Sequence, residues 1–241
     1  MTACSCDDTA FVRENLQRIE EQIQAACDAA GRRRDEVTLM AVTKTVDAAR
    51  INEAIAAGIT HIGENRVQEF LEKRDALNLD GVQAHLIGHL QTNKVRRIVG
   101  QVDMIQSIDS VRLAQAVSDA SLNTERGCTD VLLEVNIGNE ESKSGAALSE
   151  LPALLEATAA MKGIRVRGLM AIPPILQTEH EKRAVFEQMY KLFVDIRGKN
   201  VDNRTMEILS MGMSMDYVEA IREGSTMVRI GSAIFGKRNY Q

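Results

Sequence analysis

Residues 39–44, with the sequence LMAVTK, form an apolar, β-prone run that ends abruptly on a lysine. Leu39 and Val42 suit a buried strand, and a helical pattern begins just after Lys44. In barrels and open sheets of alternating strands and helices, functional groups are assembled at the carboxyl ends of the strands. Lys44 is therefore a candidate functional residue, although a surface lysine that closes a strand would show the same local pattern.

The same alternation of strand and helix patterns continues along the rest of the chain. β-prone runs follow at residues 60–63, 84–88, 104–107, 130–136, 166–171, 206–210 and 227–230. Eight such runs separated by helices in 241 residues predict a (β/α)8 TIM barrel of the α/β class. A doubly wound sheet is the alternative, but the first strand lacks the GxGxxG turn that such a sheet favours for binding phosphate.

The predicted barrel accounts for the whole chain as one domain. With 241 residues and a hydrophobic content of 44%, the chain can bury a substantial core, and α/β barrels of this size commonly form a single domain. An amphipathic pattern precedes the first strand, so residues 1–36 are predicted to form an N-terminal arm and a helix packed on the barrel. We therefore expect one domain over residues 1–241.

Charge and cysteine content limit the partners and the compartment. The formal net charge is −5 and the basic residues are scattered, so we expect no nucleic acid partner. The chain starts without the basic and apolar segments of a leader, and no apolar run is long enough to cross a bilayer. Four cysteines without a CxxC spacing indicate reduced thiols, so the protein is predicted to be cytoplasmic.

Two short stretches at the ends of the seventh and eighth strands predict a phosphate site. SMGMS at residues 210–214 and GS at residues 231–232 provide hydroxyl groups, and glycines that let the backbone approach an anion. Each stretch alone is typical of an ordinary turn. Barrels, however, often bind phosphate between the loops after strands seven and eight, which is where both stretches fall.

Two other patterns are rejected. Residues 231–238 nearly match the Walker A spacing, but Arg238 replaces the Ser or Thr that would bind Mg²⁺. His85 and His89 are four residues apart, but the stretch between them is typical of a strand entering a turn, so no metal site is predicted. We expect a core or stacking histidine instead.

A lysine at a strand end and a separate phosphate site together suggest pyridoxal 5′-phosphate (PLP). This cofactor can be held by a Schiff base at its aldehyde and by its phosphate at the other end. A class I aldolase-like barrel, whose lysine captures a sugar phosphate, is a more distant alternative. Of the two, only the PLP hypothesis predicts a yellow protein that borohydride bleaches.

Long motifs distributed over nearly the whole chain carry a family resemblance. They include MAVTKT at residues 40–45, HIGENRVQE at 61–69, HLIGHLQTNK at 85–94, LSMGMSMDY at 209–217 and GSTMVRIGSAIFG at 224–236. On these motifs the chain resembles the YggS/PROSC family of PLP-binding proteins, which are also called PLP homeostasis proteins. The resemblance implies the barrel of fold-type III PLP enzymes, similar to the N-terminal domain of alanine racemase.

The resemblance also implies a role for each matching position. Lys44 corresponds to the lysine that forms the Schiff base, and Arg229 to the residue that faces the pyridine nitrogen. Asn65 and His85 are expected near the cofactor ring, and Lys143 is a candidate second lysine near the site. The positions expected to bind the phosphate, or to lie beside it, are Ser210, Met211, Gly212, Gly231 and Ser232.

The function implied by the resemblance is a PLP-binding protein that buffers, delivers or regulates the cofactor without appreciable catalysis. Racemases and decarboxylases of this fold type add a second domain, and a partner subunit supplies catalytic groups, whereas this sequence ends shortly after the eighth strand. None of its three tyrosines clearly takes the place of the racemase's second acid/base. We expect a monomer whose recipients are apo forms of PLP-dependent enzymes. A PLP-dependent amino-acid racemase of low activity is the alternative.

Overall fold

Parallel strands pair in chain order and close into a barrel in the computed structural model of the protein. The structure describes residues 6–138, 144–174, 178–199 and 204–236. The strands are β1 (Thr38–Val42), β2 (His61–Glu64), β3 (Gln83–Leu86), β4 (Met104–Ile108), β5 (Thr129–Val135), β6 (Ile164–Ala171), β7 (Arg204–Met213) and β8 (Met227–Ile230). Because β1 also pairs with β8, no strand edge stays open, and the predicted (β/α)8 barrel is confirmed.

Helices alternate with the strands along the described residues. They are α1 (Cys6–Ala29), α2 (Ala48–Ala56), α3 (Val67–Lys73), α4 (Val95–Ile98), α5 (Val111–Ser121), α6 (Leu151–Ala159), α7 (Glu179–Arg197), α8 (Tyr217–Arg222) and α9 (Ser232–Phe235), with short 3₁₀ helices at Arg34–Glu36, Arg74–Ala76 and Thr92–Lys94. Capping residues determine where several of them begin. The Asp47 side chain accepts from the Arg50 N–H at the start of α2, and Thr178 forms a capping box at the start of α7. Within the described ranges, no helix has the length and apolar content needed to cross a membrane.

Side chains fill the inside of the barrel, and methionines dominate among them. The buried apolar residues there are Met40, Val42, Ile87, Met104, Leu132, Met170 and Met227. Methionine suits this space because its unbranched side chain adapts to irregular gaps. Gly63 makes room for one of them, since a Cβ at position 63 would lie 2.6 Å from the sulfur of Met40. The interior is therefore a packed core, and a ligand is expected at the carboxyl-end mouth.

The helix predicted ahead of the first strand is observed as α1, which packs beside the last helices of the chain. The Asn15 side chain donates to the Ile234 carbonyl at 3.0 Å and so connects α1 to α9. Arg32, just after α1, donates to the carbonyl oxygens of Ile221 and Ser225 at 2.8 Å. Because Ile234 lies two residues after Ser232, these contacts stabilise the loop in which phosphate binding is expected.

Candidate cofactor site

Lys44 lies in a tight turn directly after β1. The Val46 N–H donates to the Thr43 carbonyl at 3.0 Å, so Lys44 occupies the second position of a four-residue turn. Its side chain is half-buried and lines a cavity of about 190 Å³ that Gly231 and Ser232 also line. The structure therefore brings the candidate lysine and two of the candidate phosphate residues into one cavity.

Two main-chain N–H groups at the start of α9 converge on one oxygen atom. The N–H groups of Gly231 and Ala233 donate to the Ser214 hydroxyl at 3.3 and 3.4 Å. Convergent N–H groups of this kind bind anion oxygens, and both bonds are long enough for a stronger acceptor to replace the hydroxyl. Ser214 thus adds a hydroxyl group to the candidate phosphate loop.

Ser210, in contrast, lies inside the barrel and does not line this cavity. Its hydroxyl donates to the side-chain oxygen of Gln106 at 2.7 Å and accepts from the Arg229 guanidinium at 2.7 Å. Gln106 in turn donates to Nδ1 of His85 at 2.9 Å. The four side chains form a continuous hydrogen-bond chain across the barrel interior. The partners of Ser210 are thus interior side chains and not the Gly231 loop.

His85 is a buried core histidine, as its strand position predicted. Burial, and the His61 ring that lies edge-on with its centroid 5.6 Å away, lower the pKa of His85 to about 3. Because Gln106 donates to Nδ1, the hydrogen-bond network assigns the proton to Nε2, which is 3.3 Å from the side-chain oxygen of Gln83. His85 is therefore neutral at physiological pH and orients the Gln106 amide.

Arg229 on β8 is buried and supplies a positive charge to the barrel interior. In addition to its bond to Ser210, the guanidinium donates to the Ala171 carbonyl at 2.9 Å. Burial lowers the pKa of Arg229 to about 10, while the carboxylates of Glu134 and Asp216 oppose that shift. The side chain therefore stays charged at neutral pH and is held in one orientation.

Glu134 on β5 is a buried carboxyl group within the electrostatic reach of this arginine. Burial and the neighbouring Asp109 carboxylate raise the pKa of Glu134 to about 7, although the positive charge of Arg229 opposes the change. The carboxyl group therefore changes its charge near neutral pH. Glu134 is an ionisable group inside the barrel that makes none of the hydrogen bonds of the chain from His85 to Arg229.

We expect the substitution Glu134→Gln to stabilise the folded protein near pH 8 and to have little effect near pH 5. The pKa of the Glu134 carboxyl rises from 4.5 to about 7 on folding, so the folded state holds this proton more tightly than the unfolded state does. The free energy of unfolding of the parent protein therefore falls as the pH rises between those two values. Near pH 8, Glu134→Gln should raise the free energy of unfolding by at most about 3 kcal/mol. Urea unfolding at both pH values measures the gain, with Glu187→Gln at an exposed ion pair to Lys191 as the control. An equal effect at both pH values would contradict the raised pKa.

Asn65 follows β2 and is half-buried at the carboxyl end of the barrel. Its side-chain oxygen is buried and has no hydrogen-bond partner among the described residues, so it is available to a donor on a ligand. Gly88 lies against its backbone, because a Cβ at position 88 would be 2.2 Å from the Asn65 carbonyl oxygen. The loops after β2 and β3 can approach this closely only because residue 88 is glycine.

Met211 and Gly212 shape the strand end, and neither residue lines the cavity. The Met211 side chain is buried in the core between the barrel and its helices. Gly212 has a φ of +92°, and a Cβ there would lie 2.6 Å from that of Ala220 on α8. Both residues therefore determine how β7 meets α8. Lys143, the candidate second lysine, lies outside the described residues.

Gln106 and Glu134 lie at or beside the site and were not among the predicted positions, whereas Ser214 lay within the predicted phosphate stretch at residues 210–214 but received no role of its own. Gln106 and Glu134 are polar residues within apolar β-prone runs, and a polar residue in such a run is a signal for an inward-facing functional group. Ser214 closes the same SMGMS motif from which Ser210 was selected. The sequence therefore contained a signal for each of these residues. The SMGMS motif did not show, however, which of its two serines faces the Gly231 loop.

A closed parallel barrel that holds a lysine and convergent N–H groups at one mouth defines the class of protein. The chain matches the family described as alanine racemase, N-terminal domain, over residues 15–239. Its fold is similar to that of alanine racemase from Corynebacterium glutamicum, with a TM-score of 0.63 and 18% identity over 93% of this chain and 62% of that chain. The predicted likeness to this barrel is confirmed.

More similar relatives identify the family within this class. The chain is 41% identical over 227 residues to the pyridoxal phosphate homeostasis protein of Aquifex aeolicus, covering 94% of this chain and 98% of that protein. Its structure is similar to that of PipY from Synechococcus elongatus solved with PLP bound, with a TM-score of 0.81 and 34% identity over 93% of this chain and all of the other. The chain belongs to the pyridoxal phosphate homeostasis protein family, as its motifs predicted.

Proposed function

We propose that this protein binds PLP and serves PLP homeostasis by holding the cofactor without appreciable catalysis. The observation that carries the proposal is the cavity lined by both Lys44 and the Gly231 loop. PLP carries an aldehyde and a phosphate on one small ring, so a protein that holds both ends needs these two groups in one place. The PLP bound by PipY, a relative at 34% identity, supports the same choice of ligand.

Lys44 is the proposed point of covalent attachment. Its neutral amine adds to the aldehyde carbon of PLP, and loss of one water molecule leaves the C=N bond of a Schiff base. The side chain fits this role because it is half-buried in a cavity and lies beside the proposed phosphate loop. When bound, the cofactor supplies the reactive carbonyl carbon, and the protein supplies the amine and its orientation.

The loop after β8 is the proposed phosphate site. The N–H groups of Gly231 and Ala233, which now donate to Ser214, would donate to phosphate oxygens. The Ser232 hydroxyl stands at the cavity wall and adds a further donor. Ser210, Met211 and Gly212 belong to the strand end that positions Ser214.

Arg229 is the proposed partner of the pyridine nitrogen. A guanidinium that stays charged can donate to this nitrogen but disfavours its protonation, so the cofactor remains a weak electron sink. The bonds to Ser210 and to the Ala171 carbonyl fix the orientation of the guanidinium. The unpartnered side-chain oxygen of Asn65 is available to a donor group on the ring, and His85 supports the site through the interior hydrogen-bond chain.

The described tyrosines favour a holding role over racemisation. Racemisation needs an acid/base group on each face of the bound ring, and therefore a second group opposite Lys44. Tyr217 donates to Gln22 on α1, and the ring of Tyr190 lies against Gly224. Both tyrosines thus belong to the outer helix layer. Tyr240 is outside the described residues.

We place this activity in a cytoplasmic monomer that passes PLP to apo forms of PLP-dependent enzymes. Cys27 and Cys128 are free thiols, which is typical of a reducing compartment. The proposed site is assembled from β1, β7 and β8 of one chain, so a partner subunit is not required to complete it. Sedimentation of the PLP-bound protein measures the assembly state.

Titration of the purified protein with PLP tests the proposed function. We expect a saturable yellow absorbance that borohydride bleaches, because reduction converts the C=N bond to a stable secondary amine. The loaded protein should restore activity to an apo PLP enzyme, while a screen of amino acids should show no racemisation. A protein that stays colourless would overturn PLP binding, and robust racemisation would replace the holding role with a catalytic one.

A further inference from the structure

The turn that carries Lys44 contains an unusual backbone conformation. Lys44 and Thr45 are the central residues of the turn from Thr43 to Val46. Thr45 has a φ of +62°, and it is the one non-glycine residue with a positive φ within the described ranges. A β-branched residue rarely adopts this conformation, and a turn that requires it at the third position usually has glycine there. Thr45 therefore tends to leave this conformation unless neighbouring groups hold it.

Lys73, at the end of α3, contacts the first residue of this turn. Its ammonium group donates to the Thr43 carbonyl at 3.0 Å and to the Glu64 carboxylate at 3.3 Å. It also donates to the carboxylate of Glu69, one helical turn before it on α3. An ammonium group has three N–H donors, so these three acceptors use all of them.

The two carboxylates contact the remaining polar groups of the turn. Glu69 accepts from the Thr45 N–H, and Glu64 accepts from the Thr43 hydroxyl at 3.1 Å. The residues on both sides of Lys44 are therefore bonded to one cluster. We call this cluster of Glu64, Glu69 and Lys73 the turn clamp.

The turn clamp is partly to fully buried and lies outside the cavity. The exposed fraction of the side chain is 2% for Glu64, 19% for Glu69 and 16% for Lys73. Partial burial removes competing water and strengthens the charge-assisted hydrogen bonds of Glu64 and Lys73, whereas the bond from the Thr45 N–H to Glu69 is exposed. The cavity is lined by Lys44 and Thr45, but by no residue of the clamp. The clamp therefore has no direct contact with a ligand in this cavity, and its contacts to the site run through the turn.

We propose that Lys73 is a positioning residue that, with Glu64 and Glu69, locks Thr45 in its left-handed conformation and so directs Lys44 toward the Gly231 loop. This inference rests on the proposed attachment of PLP to Lys44. Without the lock the turn relaxes, and the Lys44 amine spends less time within reach of the aldehyde while the phosphate contacts remain. The clamp thus sets how long PLP stays covalently attached.

The substitution Lys73→Met tests the lock, because it removes the charge and keeps the length of the side chain. We expect PLP to dissociate at least about tenfold faster from this variant. Thr45→Gly supplies a rescue, since glycine adopts a positive φ without steric cost. The double variant Lys73→Met/Thr45→Gly should return to within about threefold of the parent rate. Glu69→Gln, which keeps an acceptor but removes a charge, replaces Lys73→Met if that variant does not fold.

Amide hydrogen exchange of Thr45 in the PLP-free protein provides a readout that does not depend on cofactor binding. The Thr45 N–H is bonded to Glu69, so its exchange should be slow in the parent protein and faster in Lys73→Met. Lys191→Met is the matched control, because Lys191 forms an exposed ion pair with Glu187 at the same i, i+4 spacing. This control should change neither exchange at Thr45 nor PLP dissociation.

Faster PLP dissociation, faster Thr45 exchange and rescue by Thr45→Gly together support the positioning role. If PLP dissociates faster from Lys73→Met and Thr45→Gly does not restore the parent rate, Lys73 only supports the fold and the positioning role is overturned. Unchanged dissociation or unchanged exchange in Lys73→Met would overturn it as well. If the parent protein attaches no PLP to Lys44, the proposed function fails instead, and the exchange measurement still decides whether the clamp locks the turn.

Discussion

Replacing Lys44 with alanine is expected to abolish the Schiff-base absorbance of the PLP-loaded protein and the covalent label that remains on the protein after borohydride reduction. Only an amine can form the C=N bond with the aldehyde, and Lys44 lines the cavity together with Gly231 and Ser232. The covalently bound fraction should fall from nearly all of the protein to none. The proposed phosphate contacts are unchanged in this variant, so weaker, reversible binding of PLP should remain.

Absorbance, followed by mass spectrometry of the borohydride-reduced protein, measures this loss and identifies the labelled residue. Lys191→Ala, at an exposed lysine on α7, is the matched control and should keep the full colour. Lys44→Ala should change the free energy of unfolding by less than about 1 kcal/mol, because the side chain is only half-buried in a turn. A reduced label that persists in Lys44→Ala, on Lys143 or another lysine, would contradict the assignment.

The order of the barrel elements could be predicted because its signals are local. Val131, Leu132 and Leu133 are all buried, since a parallel strand is covered on both faces and reads as a continuous apolar run. Each strand pairs with its neighbour along the chain, so the order of the runs is also the order of the strands. Lys44 and Gly231 stood out for the same reason, because each follows directly where an apolar run ends.

The level of each side chain along the barrel axis could not be predicted from the sequence. The pairing of β7 with β8 shifts register between Ser210 and Met213. Such an irregularity changes the face and the height of every later residue on the strand. Ser210 pairs with Met227, four residues before Gly231, so Ser210 lies deeper in the barrel and Ser214, beyond the strand end, contacts the N–H of Gly231 instead. Nothing in the alternation of the SMGMS motif shows where a strand will bulge.

The turn clamp illustrates the same limit. Glu69 and Lys73 are four residues apart on one helix, and this spacing alone predicts their ion pair. Glu64 joins them from the end of β2, and this contact depends on how β2 leads into α3. The positive φ of Thr45 has no sequence signal, because glycine is the residue expected at such a position. Contacts between elements, and not the elements themselves, were the part that required a structure.

Replacing Arg229 with methionine is expected to lower the free energy of unfolding by about 3 kcal/mol near pH 8 and by about 2 kcal/mol near pH 5. Methionine fits an apolar interior but cannot donate a hydrogen bond. The Ala171 carbonyl loses its donor, and the Ser210 hydroxyl keeps only its bond to Gln106. This loss of buried hydrogen bonds occurs at every pH and accounts for the loss of about 2 kcal/mol expected near pH 5.

The additional loss near pH 8 comes from Glu134. Its pKa is about 7 in the parent protein, so the carboxyl is mostly ionised near pH 8 and mostly protonated near pH 5. Arg229 is the cation that opposes the rise in this pKa, so its removal raises the pKa further, and near pH 8 the buried carboxyl must take up a proton at a cost of at most about 1.4 kcal/mol. Measured against Glu134→Gln, the double variant Arg229→Met/Glu134→Gln should therefore lose only about 2 kcal/mol of unfolding free energy at both pH values. Urea unfolding of the parent protein, both single variants and the double variant measures the four free energies of this double-mutant cycle. A loss in Arg229→Met that is the same near pH 5 and near pH 8 would mean that the two buried charges are not coupled.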